Sequence, residues 1–207
     1  MTPANTLPAV VRAGLADADD LGDLIAAAYG ELDVSRWLVA DPEVRAEIFP
    51  LYFRMFVEHV LTAGLVHTTE DRAAVALWLP AGLSPPVPPY GYPDQLAAVT
   101  GSWLDRFLII DELFEQAHPR GRPHHFLALL AVRPDRQRRG LSTTLLRAHH
   151  ATLDAAGLPA YLQASGQAAR ALYAKLGYQD DGPPLRLPAG PSVYPMWRAP
   201  VNRRSAG

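Results

Sequence analysis

The residues with the clearest chemical meaning lie in one loop. Arg133-Pro134-Asp135-Arg136-Gln137-Arg138-Arg139-Gly140 follows a continuous apolar run, Phe126 to Val132, and precedes a segment of helical composition that opens at Leu141. Such a loop presents free backbone N–H groups at the positive end of a helix, a geometry that suits a phosphate or pyrophosphate. Gly140 permits close backbone approach or a positive φ, and the arginines add charge that a diphosphate can use. The loop lacks both the Lys-Ser/Thr ending of a P-loop and the G-x-G-x-x-G of a dinucleotide fold. Taken alone, it reads equally well as a charged, solvated connection between a strand and a helix.

Other titratable residues are less specific. Asp111, Glu112 and Glu115, and His118, His124 and His125, precede or open the apolar run and read mostly as solvated surface groups. His149 and His150 are adjacent, so they do not share one helix face, and no metal site is expected. The absence of cysteine excludes thiolate nucleophiles, disulfides and cysteine-ligated zinc. A formal net charge of −2 gives no global attraction to nucleic acid or to an anionic membrane, and neither is expected as a partner. Met1 to Val10 carries Pro3 and Pro8 and no apolar run of signal-peptide length, and no segment offers the roughly 18 apolar residues of a membrane span, so the chain reads as soluble and cytoplasmic.

The elements that must position this loop follow from periodicity and punctuation. With 207 residues, 49% of them hydrophobic, one domain with a sizeable core is expected, its ends at about 1–9 and 200–207 being flexible. Val10 to Arg12 suits a first strand, and Asp17 opens a helix carrying Leu21, Leu24, Ile25 and Ala28. Asp41-Pro42 opens another that runs through Val60 to a stop at Gly64, with Pro50 expected to kink or divide it. Leu65 to Thr69 and Ala73 to Leu79 read as a hairpin, followed by a proline-rich loop from Pro80 to Pro93. Leu96, Val99, Trp103, Phe107, Ile110 and Phe114 then recur at the spacing of one long amphipathic helix, about Pro93 to Ala117. Phe126 to Val132 should be a central strand, Leu141 to Ala156 a helix stopped by Gly157, Ala160 to Ala164 a strand, and Gln167 to Leu176 a helix stopped by Gly177. Val193 to Trp197 suits a last strand, with Pro195 expected to force an edge or bulged position. The pattern is a mixed α/β domain of the α+β kind.

The order of two motifs narrows the reading. Val132-x-Pro134-x-x-Gln137-x-x-Gly140-x-Ser142, followed after a strand by Ala171-Leu172-Tyr173-x-x-Leu176-Gly177-Tyr178, resembles the acetyl-CoA motif and the following tyrosine helix of the GNAT N-acetyltransferase superfamily. Within it, Ala74 to Trp78, His125 to Ala128, Gly157 to Leu162 and Met196-Trp197 resemble the corresponding pieces of the puromycin N-acetyltransferases. The resemblance is strongest from Phe126 to Tyr178. It implies a mixed, mostly antiparallel sheet of six or seven strands, splayed between two central strands, flanked by helices and entered by the pantetheine arm of acetyl-CoA. It also implies transfer of an acetyl group to the primary amine of a small molecule by direct attack on the thioester. A protein lysine or N-terminal acetyltransferase and a noncatalytic acetyl-CoA sensor are the alternatives, and a homodimer is compatible with all three.

By this resemblance Leu130, Ala131 and Val132 offer backbone hydrogen bonds to the pantetheine arm and the acetyl carbonyl, and Arg138, Arg139, Gly140, Leu141, Ser142 and Thr143 cradle the pyrophosphate. Ser142 replaces the usual glycine or alanine, and Gly166 stands near a position where many relatives carry a cofactor-contacting asparagine. Tyr173 is assigned to the departing thiolate as a proton or hydrogen-bond donor; its plain alternative is a helix tyrosine packed on the sheet. Gln163 stands where the related pattern has a glutamate. An amide has no useful basicity near neutral pH, so Gln163 either orients a water or substrate or is simply a polar residue ending a strand. Trp37, Phe49, Tyr52, Phe53, Phe56, Trp103 and Phe107 are mostly core by expectation. Any that reach the acceptor cleft favour an amine with an apolar or aromatic body, with the Pro80 to Pro93 loop as its rim.

Overall fold

The computed structural model describes residues 7–201, so residues 1–6 and 202–207 of the two ends expected to be flexible lie outside the described residues. Eight strands form one sheet in the order β1 (Val10–Arg12), β2 (Leu65–Thr69), β3 (Ala74–Ala81), β4 (His124–Val132), β5 (Ala160–Ala164), β8 (Ser192–Arg198), β6 (Gln179–Asp180), with β7 (Leu185–Arg186) paired to β8. Every pairing is antiparallel except β4 with β5. Two two-residue strands, β6 and β7, raise the count to eight, where six or seven were expected. Runs that short carry no periodicity to read.

The sheet separates two cores. On β3 the residues alternate: Val75, Leu77 and Leu79 face one core and Ala74, Ala76 and Trp78 the other, all of them buried. The first core is covered by α1 (Ala18–Tyr29), α2 (Asp33–Leu38), α3 (Pro42–Ala63), α4 (Tyr92–Thr100) and α5 (Leu104–Ala117). The second is covered by α6 (Leu141–Ala156) and α7 (Gln167–Ala174). The end of α3 lies so close to β3 that a Cβ on Gly64 would stand 2.1 Å from the Trp78 carbonyl oxygen, which reserves the position for glycine. A buried, doubly bonded ion pair, Arg198 to Asp154 at 2.8 Å on both arms, fastens β8 to α6.

Three local expectations are corrected. The helix α3 continues through Pro50, so the proline does not divide it. The carbonyl that proline deprives of a donor belongs to Ala46, which is exposed and can turn to water, while Phe49, Tyr52 and Phe53 hold both sides of the site in the core. The single helix expected from Pro93 to Ala117 is two, because Gly101 takes φ +53° and a short 3-10 turn, Gly101–Trp103, intervenes. Hydrophobic spacing survived that break, so periodicity alone did not show it. Finally, Pro195 is in an interior strand: β5 pairs β8 on one side and β6 on the other. The β6 ladder ends at Asp180 opposite Met196, and the Pro195 carbonyl accepts from the Asp181 N–H, so the missing N–H falls where pairing stops.

Several histidines are buried in the second core and beside it. His149 stacks on Trp78 with ring centroids 4.2 Å apart and lies 3.0 Å from His125 Nδ1; His150 meets the Tyr178 hydroxyl at 2.9 Å. His118 and His124 pair at 3.1 Å on the other side of β5. Burial first, and neighbouring rings second, hold His149 down at about 3 and His118 at about 4; burial first and the Arg198 charge second hold His150 at about 4. These rings stay neutral in the fold while their unfolded counterparts take up protons below about 6.5. Stability is therefore lost as pH falls below that value, by up to about 1.4 kcal/mol per pH unit for each such ring. Calorimetry should show Tm falling by roughly 5 °C or more between about pH 7 and pH 5, with a shallower fall in His149→Phe.

Candidate active site

The parallel pairing of β4 with β5 lasts three residues: His125 opposite Ala160, Phe126 opposite Tyr161 and Leu127 opposite Leu162. Beyond Leu127 each strand keeps its other partner, β4 with β3 as far as Val132 and β5 with β8 as far as Ala164. The edge of β4 facing the gap thus carries backbone groups without a strand. Two side chains take three of them. The Tyr29 hydroxyl donates to the Leu130 carbonyl at 3.3 Å and accepts from the Leu130 N–H at 3.4 Å, and the Gln137 amide donates to the Val132 carbonyl at 3.2 Å. Of the three strand residues expected to bind a ligand through the backbone, Leu130 and Val132 face the gap. By the alternation of an antiparallel ladder, Ala131 turns its backbone groups to β3.

Tyr29 had no sequence signal, since it lies 101 residues from Leu130 at the end of α1. Its position is set by Arg45, buried on α3, which donates to the Gly30 carbonyl directly after Tyr29 and to the Val39 carbonyl after α2, both at 2.7 Å. Burial pushes the Tyr29 hydroxyl up to about 12 despite the Leu130 contact.

The gap opens into a cavity of about 190 Å³. Tyr52, Phe53 and Phe56 from α3 and Ile110, Asp111 and Phe114 from α5 form one side, and β4 from Phe126 to Leu130 forms the floor. This is why β4 is less uniformly buried than its apolar run suggests. Tyr173, on α7, lines the cavity; its hydroxyl is held well above the ordinary tyrosine range by burial and by the charges of Tyr29 and Tyr178, so it is a neutral donor. Phe49 and Phe107 are core, as expected for most of the rings. Trp37 and Trp103 instead sandwich the Arg106 guanidinium, 5.5 and 5.6 Å from it. Asp111, read from sequence as one of several surface acids, lies in the cavity wall: burial raises it to about 6 against the Tyr92 hydroxyl, which donates to it at 2.8 Å. Glu112 and Glu115 on the same helix are not in the wall, and neither are His118, His124 and His125.

Past Val132 the loop rises to α6. Gly140 is its N-cap at φ +84°, and the helix's first internal bond runs from the Thr144 N–H to the Gly140 carbonyl. Among the described residues nothing accepts from the N–H groups of Leu141, Ser142 and Thr143. Arg133 and Arg136 are engaged by Asp135 and Asp71, whereas Arg138, at φ +59°, and Arg139 form no salt bridge among the described residues. Free helix N–H groups beside two available guanidiniums fit a diphosphate.

Gln163 lines the cavity, but its amide is already employed. Its amide donates to the Phe114 carbonyl at 3.0 Å and to the Tyr161 hydroxyl at 3.2 Å, and Tyr161 donates to the Ala117 carbonyl at 3.2 Å. It fastens the end of α5 to β5.

Comparison with known proteins agrees with this geometry. Residues 105–180 match the family model described as Acetyltransferase (GNAT) domain. A Corynebacterium glutamicum structure described as histone acetyltransferase HPA2 and related acetyltransferase superposes with a TM-score of 0.72 at 21% identity, covering 96% of this chain and 99% of that one. Arylalkylamine N-acetyltransferase 2 from Aedes aegypti gives 0.65 at 14% identity, with 93% and 99% covered. PaiA N-acetyltransferase from Thermoplasma acidophilum, in complex with coenzyme A, gives 0.56 at 9% identity, with 94% and 99% covered. The fold is the mixed, open sheet of the GNAT proteins, and the acetyltransferase domain matched on it marks the chain as an acyltransferase.

The Gln163 contacts generate a test of why an amide stands there. An ionised glutamate cannot donate to the Phe114 carbonyl, while a protonated one can, so the carboxyl of Gln163→Glu should have a raised folded-state pKa. Its stability is then best retained at low pH and lost as pH rises through that value. The Tm deficit of Gln163→Glu relative to the parent should grow between about pH 5 and pH 8, by roughly 1–2 kcal/mol of stability; an equal deficit at both ends would remove the hydrogen bond from the explanation.

Proposed function

We propose that the chain transfers an acetyl group from acetyl-CoA to the primary amine of a small, partly apolar molecule by direct attack. The observation that carries this reading is the splay itself: the Leu130 backbone faces a largely apolar cavity that Tyr173 also lines, while the free N-terminus of α6 lies farther along the same chain segment. Acetyl-CoA supplies the acetyl thioester. Gly140, with the N–H groups of Leu141, Ser142 and Thr143 and the side chains of Arg138 and Arg139, would hold the pyrophosphate, and Leu130 and Val132 the pantetheine arm. Around Gly140 a Cβ would meet only Leu7, at 3.8 Å, so the approach to the backbone is open.

Tyr173 holds a proton at Oη for the departing sulfur, a role its high pKa permits, since a neutral phenol donates. The Leu130 N–H would donate to the acetyl carbonyl oxygen once the Tyr29 hydroxyl it now bonds is displaced, and the apolar wall excludes water that would compete with the amine. Gln163 is no base, and the acceptor reacts as its free amine; as the N–C bond forms and the C–S bond breaks, the proton nitrogen sheds replaces the one Tyr173 gives to sulfur, leaving an amide and the coenzyme A thiol. The aromatic wall from Tyr52 to Phe56 favours an acceptor with an apolar or ring-bearing body, in keeping with the resemblance to the puromycin N-acetyltransferases and with the arylalkylamine named for one structural neighbour. A protein lysine needs an open groove, whereas α2, α3 and α5 wall this space in.

Turnover of acetyl-CoA against a panel of aromatic, aliphatic and aminoglycoside amines and lysine peptides tests the reading, with ring-bearing amines expected to lead. Tyr173→Phe should lower kcat by about 10²-fold or more with acetyl-CoA affinity nearly unchanged; parental turnover would return Tyr173 to packing. Gly140→Val should weaken coenzyme A binding by about tenfold in titration calorimetry on a variant whose circular dichroism shows it folded, because a branched residue resists φ +84° and would crowd the pyrophosphate.

A further inference from the structure

The cavity has two polar ends. At one, Tyr29 meets the Leu130 backbone, and Tyr29 adds to the upward shift of the Tyr173 hydroxyl. At the other, Tyr92 donates to Asp111, and Tyr52 and Tyr92 both feel the Asp111 charge. Between the ends the wall is mostly apolar. Tyr29 packs on Phe53 and Phe53 on Tyr52, each pair 5.2 Å between ring centroids, with Ile110 and Phe114 alongside.

Among the described residues Asp111 is the only carboxylate in the wall, and no lysine, arginine or histidine accompanies it there. Its one hydrogen-bond donor among the described residues is a neutral phenol on Oδ2. A partly buried carboxylate with no counter-ion is costly to keep charged, and a cation brought to it by a ligand removes that cost. A hydroxyl or an apolar tip would remove less of it. We propose that Asp111 anchors a second cationic group of the acceptor at the end of the cavity away from the reacting amine, so that the favoured acceptors are molecules with two basic groups joined by an apolar body. The inference rests on the acetyl-transfer reading and names its substrate class. The upward shift of Asp111 fits an unpaired carboxylate, which an ammonium ligand would return to its charged form.

Calorimetry on the full chain with saturating coenzyme A, at about pH 8 where Asp111 is ionised, should use para-xylylenediamine, para-hydroxymethylbenzylamine and benzylamine, which share one ring and one reacting amine. The diamine should bind about tenfold more tightly than benzylamine, with the alcohol between them. Asp111→Asn, which keeps the shape and can still accept from Tyr92, should reduce that advantage to below about threefold, and Tyr92→Phe, which keeps the carboxylate, should preserve it. Equal binding of the three ligands to the parent chain, or an undiminished diamine advantage in Asp111→Asn, overturns the anchor; if that variant does not fold, the ranking on the parent chain and on Tyr92→Phe decides. Acetyl transfer to the same ligands is measured in parallel. A binding advantage without turnover refutes the reaction and leaves the anchor, while turnover without a diamine advantage refutes the anchor and leaves the reaction.

Discussion

A strand that loses its neighbour in the middle of a sheet leaves backbone donors and acceptors inside the protein, and such groups are expensive to bury unpaired. That is the situation of β4 beyond Leu127, and much of the surrounding structure can be understood as the answer to it. Tyr29 is delivered to Leu130 by α1, whose end is held by Arg45 from α3. Gln137 folds back onto Val132 from the loop that follows. β5 does not follow β4, because β8 pairs with it along its full length, from Ala160 to Ala164. The space between the two halves of the sheet is where the chemistry is proposed to lie.

How legible this was depended on whether the signal was local. The loop from Arg133 to Gly140 and its helix were readable because a glycine, an apolar run and a helix start sit next to each other in the chain. The strand edges at Leu65, Ala160 and Ala164, and the stop at Gly157, were readable for the same reason. Tyr29 and Asp111 carried no such mark. The first is an ordinary helix-end tyrosine until Leu130 arrives, and the second sits among Glu112 and Glu115 on a helix face that hydrophobic spacing cannot orient to within one residue. Pro50 and Pro195 misled in the other direction: each breaks a rule of its element, and each is tolerated because the lost bond would have pointed to water or past the last rung of a ladder. A local rule states the cost of a proline, while the surroundings decide whether that cost is ever incurred.

The two faces of the sheet divide the labour. One core meets α3 and α5, which wall the cavity on one side; the other packs Trp78, His149 and Leu145 under α6. The loop that ends in Gly140 crosses from the strand floor of the first to the helix of the second. Rigid packing beneath α6, with the Arg198–Asp154 pair at its far end, keeps the helix N-terminus fixed relative to Leu130. Precision at one face is thus supported by density at the other.

The contact between Tyr29 and Leu130 also changes what occupation of the gap means. Because the hydroxyl already donates to and accepts from that residue, a ligand arriving there does not fill a vacancy but displaces an incumbent, trading two long protein hydrogen bonds for its own. The exchange is close to thermoneutral by construction, so this end of the site contributes little to how tightly anything is held and much to which ligand is held, since only one able to replace both the donor and the acceptor breaks even. Tyr29 acts in this sense as a reference ligand carried by the chain itself, against which every other occupant of the gap is measured.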